Sequence, residues 1–321
     1  MSEASAPDLQ HKFRAMATDV NLHLVGPTQR ANDAIARAEA VFHTVEDACT
    51  RFNPDSPLMK ANADPSSWHE VPATCFAAIA EAAAAHVRTA GRFDPRVLRI
   101  LTAAGYDRSL PFRTSEVALS SVVGSEATKP ARKPWRPGLD EKRHRVRIGA
   151  EPIDLGGIGK GLAVRWAMAE LRDAGNAVLV EAGGDIAVRG GGTEGTGWRI
   201  GVEDPRGGTE PVAVLQLESG ACATSSIRIR HWTVDGRPMH HLIDPRTGTA
   251  ADSGLLSVTV IGPDAADAEV WSKSLFLVGR GGIRQFADEH ELAALWVDHD
   301  GLVGTSRAIK PQLIWQAPHG D

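Results

Sequence analysis

IDLGGIGKGLAVRWAMAELRDAGNAVLVEAGGDIAVRG, residues 153–190, packs strand, glycine turn, helix, strand and second turn into one unbroken unit around which the chain is organised. A short extended run, Val146 to Ile148 and then Ile153, ends at Asp154. Gly156, Gly157, Gly159 and Gly161 then let the backbone come close to a ligand and adopt torsions that a Cβ would obstruct. Ile158, Leu162, Ala163, Trp166 and Ala169 recur at helical spacing, and Gly175 stands where such a helix would stop. Val178 to Val180 reads as a buried strand, Gly183-Gly184-Asp185 as a tight turn, and Ile186 to Val188 as the next strand. Lys160 sits among the glycines. Free amides at a helix start, together with an ammonium, form an anion site, most often for phosphate.

Two familiar phosphate motifs are excluded by spacing. A nucleotide-triphosphate loop needs a glycine six residues before its lysine and a Ser or Thr after it; Asp154 and Gly161 stand there. Gly157, Gly159 and Gly161 also miss the dinucleotide GxGxxG pattern. A turn that only lets helix and sheet pack closely is the alternative, against which Lys160 and the second glycine turn weigh. With 321 residues, 42% hydrophobic and 23% charged, the chain can bury a sizeable core. A net charge of −5 and the lack of a basic stripe with interleaved aromatics argue against a nucleic-acid partner. Cys49, Cys75 and Cys222 are isolated, which gives neither a disulfide framework nor a Cys-based zinc site and points to a reducing compartment. MSEASAPDLQHKF has no apolar core like that of a signal peptide, and no stretch is apolar enough to span a bilayer, so a cytoplasmic setting without membrane insertion is expected.

Along the chain, residues 1–10 read as a loose tail, 11–315 as one domain and 316–321 as a C-terminal tail. Phe13 to Val25 alternates like a strand. Ala31 to Cys49 carries Ile35, Ala38, Val41, Phe42 and Val45 on one helical face and stops before Asn53-Pro54. Thr74 is a candidate cap for an alanine-rich helix over Cys75 to Thr89. Gly91-Arg92-Phe93-Asp94-Pro95 sets a carboxylate at a rigid corner before a helix over Arg96 to Ala104. Pro111 to Leu139 lacks periodicity and reads as a surface excursion. Antiparallel strands are expected at Trp198 to Val202 and Val212 to Leu217, with a buried strand at Leu255 to Ile261. Helices over Ala265 to Leu277 and Ile283 to His290 precede a last core strand, Leu292 to Val297.

The second half holds the groups able to do chemistry. No histidine pair has HxxxH spacing on a helix. His240 and His241 point to opposite faces of a strand, so only one can serve a given site. His241, near the Asp244-Pro245-Arg246-Thr247-Gly248 turn, is either a general base, with Asp244 orienting it or holding the turn, or a satisfied structural histidine. A Ser-His-Asp hydrolase built from Ser225 or Ser226, His241 and Asp244 lacks a GxSxG elbow. Glu269 and Lys273, four apart, would ordinarily be a surface ion pair. Their helix is otherwise apolar.

Taken in order, these segments resemble the ApbE family of flavin transferases. Met16-Ala17-Thr18 stands for the family's opening MGT, followed by Arg51-Phe52 with Ser56 and Asn62. Gly91 to Pro95 stands for GxFDP, Asp154 to Gly161 for DLGGIAKG, Gly183 to Asp185 for GGD, Ala223 to Ser225 for ATS, and His241 to Gly248 for HIIDPRTG. The resemblance implies an α+β fold of two lobes, mostly antiparallel sheet flanked by helices, with a flavin cleft between them. It implies transfer of FMN from FAD to a threonine hydroxyl of an acceptor protein, releasing AMP. The alternatives are FAD pyrophosphate hydrolysis to FMN and AMP, or a non-catalytic FAD-binding protein. Flavin and nucleotide contacts are implied at Met16, Phe52, Asp94, Pro95, Gly157, Lys160, Asp185, Thr224, Ile243, Asp244 and Thr247, with His241 as base. A magnesium ion is implied at the Gly159 carbonyl and at an Asp and a Thr four apart on the late helix. Aligning Leu275-Phe276 with the family's LF puts Glu269 in the place of that Asp and Lys273 in the place of that Thr; Asp267 and Trp271 form the other register. The expectation is therefore that Lys273 acts at the pyrophosphate and weakens or replaces the magnesium. Ala17, Gly159 and Glu181 are further departures, where glycine, alanine and asparagine are usual.

Overall fold

The structure, a computed structural model, describes residues 7–108, 116–117, 133–234 and 236–318. Its centre is an eight-stranded sheet in which spatial order follows chain order: β1 (Leu9–Ala15), β2 (Thr18–Pro27), β3 (Gly175–Ala182), β4 (Asp185–Arg189), β5 (Ser219–Ser226), β6 (Leu255–Gly262), β7 (Ala293–Asp298) and β8 (Val303–Thr305). Every neighbouring pair is antiparallel. Alternation along β2 sends Val20, Leu22 and Leu24 into the core, where Ala34, Ala38, Phe42 and Val45 of helix α1 (Ala31–Cys49) meet them at helical spacing. On the opposite face lies a smaller antiparallel sheet of Trp198–Glu203, Pro211–Leu217 and Leu313–Gln316, closed around Trp198, Ile200, Val212 and Leu215.

The second lobe is built from α2 (Pro57–Ala63), α3 (Ala73–Arg88), α4 (Leu98–Ala103) and a three-stranded sheet of His69–Glu70, Arg145–Arg147 and Gly138–Asp140. Two helices are shared between the lobes, α5 (Gly159–Glu170) and α6 (Ala265–Val278). Ala163, Val164 and Ala167 of α5 face the large sheet, while its Leu162 and the preceding Ile158 join Ala266 and Val270 of α6 in the core of the helical lobe. A helix pressed on both sides has no room for a polar face, which is why α6 is apolar nearly all round. α7 (Ile283–Glu289) closes the core beneath β6 and β7.

Several expectations need correction. β1 begins at Leu9, inside the stretch read as a loose tail. α3 starts at Ala73 behind Pro72, so Thr74 lies within the helix and caps nothing. Gly175 opens β3 rather than ending α5, which stops at Glu170. Residues 111–115 and 118–132 of the expected excursion lie outside the described residues, as do 1–6 and 319–321. Trp135, within that excursion, is buried and donates its indole N–H to the Ile148 carbonyl at 2.9 Å. Two strands, β8 and Leu313–Gln316, follow the one expected to be last. Among the described residues no helix is long and apolar enough to cross a membrane.

Candidate active site

Between the lobes runs a cleft lined by Met16 and Ala17, Thr50 to Phe52, Arg92 to Pro95, Asp154 to Gly157, Gly159 and Lys160, Arg230, His241 to Ile243, and Lys273 and Leu277. Two hairpin turns stand side by side at one end of the large sheet. Gly183 and Gly184 turn β3 into β4 with φ of 57° and 93°, and Met16 and Ala17 turn β1 into β2 with φ of 53° and 59°. Glycine adopts this left-handed region freely, whereas each residue with a Cβ costs about 1–2 kcal/mol there. That strain is stored in the turn that carries Met16 into the cleft, a usual place for it.

Around the cleft the expected motifs divide into scaffold and wall. Ser56 caps α2 by accepting the Met59 N–H at 3.1 Å. The Asn62 side chain grips the strand before the glycine turn, donating to the Ile153 carbonyl at 2.8 Å and accepting the Ile153 N–H at 2.9 Å. Asp154 N–H donates to the Pro95 carbonyl at 2.7 Å, which ties the glycine turn to the Asp-Pro corner. Asp94 accepts from the Arg96 N–H at 2.9 Å and its guanidinium at 2.7 Å, and Asp244 holds Arg246 in the same way. Burial pushes the Asp94 carboxyl up, but the Arg96 contacts outweigh it and the group lies below the usual range. These corners are built to be rigid. Asp244 and Thr247 are spent on their own turn, and Thr224 pairs with Thr259 at 2.8 Å, so none of the three lines the cleft.

The floor is a buried charge network. Lys160 Nζ donates to Asp185 Oδ2 and, at 3.0 Å, to Glu269 Oε1. Lys273 Nζ donates to the same Glu269 Oε1 at 3.1 Å, and Glu269 Oε2 accepts the Gly161 N–H at 2.9 Å. Asp185 and Glu269 are each only 1% exposed, which rules out the surface ion pair that the spacing of Glu269 and Lys273 suggested. Ile158 provides no side-chain cap for α5, so Glu269 serves as its terminal acceptor, with a charge suited to the positive end of the helix dipole. The anion that the glycine turn receives first is thus the protein's own carboxylate. Burial pushes Glu269 up, yet Lys160 and Lys273 hold it down to about 2. Burial and the Glu269 charge push Asp185 up to about 6 against the pull of Lys160. Burial also lowers Lys273 below the ordinary range, with Glu269 opposing, whereas for Lys160 the two carboxylates outweigh burial and raise it.

The strand Arg237–His240 ends before His241, so the two histidines divide at a strand end and not by alternation within a strand. His240 is satisfied at both nitrogens, Nε2 on the Ala251 carbonyl at 3.0 Å and Nδ1 on the Leu242 N–H at 3.3 Å. His241 lines the cleft and its Nδ1 meets the Arg230 carbonyl at 3.3 Å. A carbonyl only accepts, so the proton is on Nδ1 and Nε2 keeps a free lone pair. Burial, then the Arg230 and Lys273 charges, hold this imidazole well below its ordinary pKa, hence neutral. The backbone of Arg230 orients His241; Asp244 does not. Ser225 pairs with Ser272 at 2.7 Å and is buried, so no Ser-His-Asp relay forms.

Sequence reasoning missed Arg230 and Tyr106. Arg230 brings a guanidinium to the cleft and makes no ion pair among the described residues. The guanidinium of Arg51 lies against both the Phe52 and Tyr106 rings, 4.3 and 4.0 Å from their centroids, and the two rings touch each other. No sequence pattern marks either residue; both arrive from segments distant in the chain.

A magnesium ion would need oxygen ligands in near-octahedral geometry. Where the resemblance sets it, both Glu269 oxygens are already taken by N–H donors, and a protonated lysine, Lys273, supplies no lone pair. Among the described residues no three His, Cys, Asp or Glu side chains gather as a metal site. An ammonium where the resemblance expects a hydroxyl ligand, and a carboxylate already engaged by three N–H donors, do not fit the ion.

A family model described as the ApbE family matches residues 16–296. The FAD:protein FMN transferase of Escherichia coli K12 is 30% identical over 151 residues, 46% of this chain and 43% of that protein. The protein of the same name from Rhodobacter capsulatus is 28% identical over 318 residues, 97% of this chain and 59% of that protein. The chain thus spans about half the length of the curated relatives it matches. Among solved structures, the ApbE protein of Thermotoga maritima superimposes with a TM-score of 0.80 at 28% identity, covering 95% of this chain and 99% of that one. The flavin transferase ApbE of Vibrio cholerae, at 22% identity and a TM-score of 0.77, shares the fold over 96% of this chain and 99% of its own.

Proposed function

The chain belongs to the ApbE family, and from that premise we propose that it is an FAD:protein FMN transferase, moving FMN from FAD to a threonine hydroxyl of an acceptor protein. The observation that carries this reading is the neutral His241 in the cleft, its Nδ1 proton fixed on the Arg230 carbonyl and its Nε2 free to take a proton. The threonine oxygen attacks the flavin-side phosphorus and passes its proton to His241 Nε2. The bond to the bridging oxygen breaks, and AMP leaves with that oxygen. Charge grows on the phosphoryl oxygens and the leaving group, and Lys273 and Arg230, both lining the same cleft, are the cations available to receive it. Met16, Phe52, Pro95, Gly157 and Ile243 supply wall for the flavin or the adenosine. The three cysteines are buried free thiols, Cys49 and Cys75 in contact with each other, which supports a reducing compartment, and we assign the reaction to the cytoplasm.

Incubation with FAD alone and then with a threonine-bearing acceptor, followed by mass measurement, tests the reading. A covalent FMN adduct and AMP are expected. Soluble FMN without acceptor would make water the nucleophile, and unchanged FAD in both mixtures would exclude catalysis. His241→Asn should lower transfer by about 10²–10⁴-fold while FAD binding persists.

A further inference from the structure

We propose that the Lys273 ammonium is a covalently tethered substitute for a divalent cation, so that the cleft takes the flavin pyrophosphate without metal. This rests on the flavin reading above and narrows it to how the phosphate charge is met. Asp185 and Glu269 carry two negative charges and Lys160 one positive charge, which would leave the buried floor at −1 and inviting to a cation. Lys273 brings it to zero. The position is also shaped for a lysine. A Cβ on Gly157 would stand 3.5 Å from Lys273 Cδ and Cε, so the lysine stem fills the space beside that glycine. Its ammonium reaches Glu269 Oε1 at 3.1 Å while the side chain still lines the cleft. Glu269 already accepts two ammoniums at Oε1 and the Gly161 N–H at Oε2, so its charge is met by N–H donors, and an ion seated there would face Lys273 at close range. A hydrated ion meets carboxylates whose charge the two lysines already balance, whereas a phosphate oxygen entering the cleft finds a fixed positive charge in place.

Two binding measurements decide it. Mg2+ titrated calorimetrically into the protein alone should give no saturable heat at millimolar concentration. FAD binding, followed by flavin fluorescence, should differ by less than about twofold between EDTA and millimolar Mg2+. In Lys273→Thr the floor returns to −1, and Mg2+ should tighten FAD binding by about tenfold or more. Submillimolar Mg2+ binding to the unaltered protein, or a tenfold gain in its FAD affinity with Mg2+, would overturn the proposal. So would a folded Lys273→Thr that stays indifferent to the metal. If FAD binds in neither buffer the flavin reading is lost, and the Mg2+ titration of the protein alone still decides the role of the lysine.

Discussion

The two helices that meet at the cleft floor contribute opposite things. The start of α5 offers backbone, with glycines at Gly159 and Gly161 and one long side chain, Lys160. The facing segment of α6 offers side chains, Glu269 and Lys273, set in an otherwise apolar helix. Arg165 of α5 and the capping carboxylate Asp264 of α6 lock the pair at 2.7 Å. The arrangement teaches that a glycine-rich helix start need not wait for a ligand to satisfy its amides. Here a neighbouring helix supplies a carboxylate, and the lysine charges, rather than the Gly161 N–H, are left to meet whatever enters.

If the side-chain half is the more demanding, Glu269→Ala should have the largest effect. It leaves Lys273 without its acceptor and the Gly161 N–H unpaired, at a cost of about 3–5 kcal/mol in urea unfolding. Gly161→Ala tests the backbone half. Its Cβ would stand 2.6 Å from both the Ala265 carbonyl oxygen and the Ala266 Cα, backbone atoms that move only if the helices part, and a loss of about 1–3 kcal/mol is expected. A larger loss at Gly161 than at Glu269 would invert the comparison.

Acid should act on the side-chain half. The Glu269 carboxyl is held below its ordinary value, at about 2, so its contribution is full above the unfolded pKa near 4.5 and drains as pH falls from there toward 2. Asp185, raised to about 6, runs the other way, its contribution lost as pH climbs from near 3.8 through 6. Denaturant titrations across pH should therefore show an acid limb below 4.5 that Glu269→Gln flattens. Gly159→Ala should have the smallest effect. A Cβ there meets only Met16 Cε at 3.5 Å, and the lost chain freedom of the unfolded state should stabilise the fold by about 0.4–1 kcal/mol, read as a small rise in melting temperature. A loss of stability at this position would show that α5 needs both glycines.

Much of this was legible in order along the chain. α1 follows its apolar spacing to the residue, and the glycine turn, β3, Gly183-Gly184 and β4 stand where local signals set them. The pairing of His240 and His241 announced that only one could face the cleft, though not that the Arg230 carbonyl would choose the proton position. Thr74 was misread because a Thr before an alanine run is a cap signal, yet Pro72 already ends the preceding extended segment. Asp244, Thr247 and Thr224 sit in motif positions, but their side chains are consumed by neighbours that a motif does not reveal.

The sequence by itself determined the local pieces: helices from periodicity, turns from glycine and proline, and rigid corners from Asp-Pro-Arg, where the interacting groups lie two residues apart. Only the tertiary structure decided that Glu269 and Lys273 lie inside. An i,i+4 ion pair has the same spacing on a surface or in a core, and what fixes its meaning is that α6 is pressed between two lobes against the start of α5, more than a hundred residues earlier in the chain.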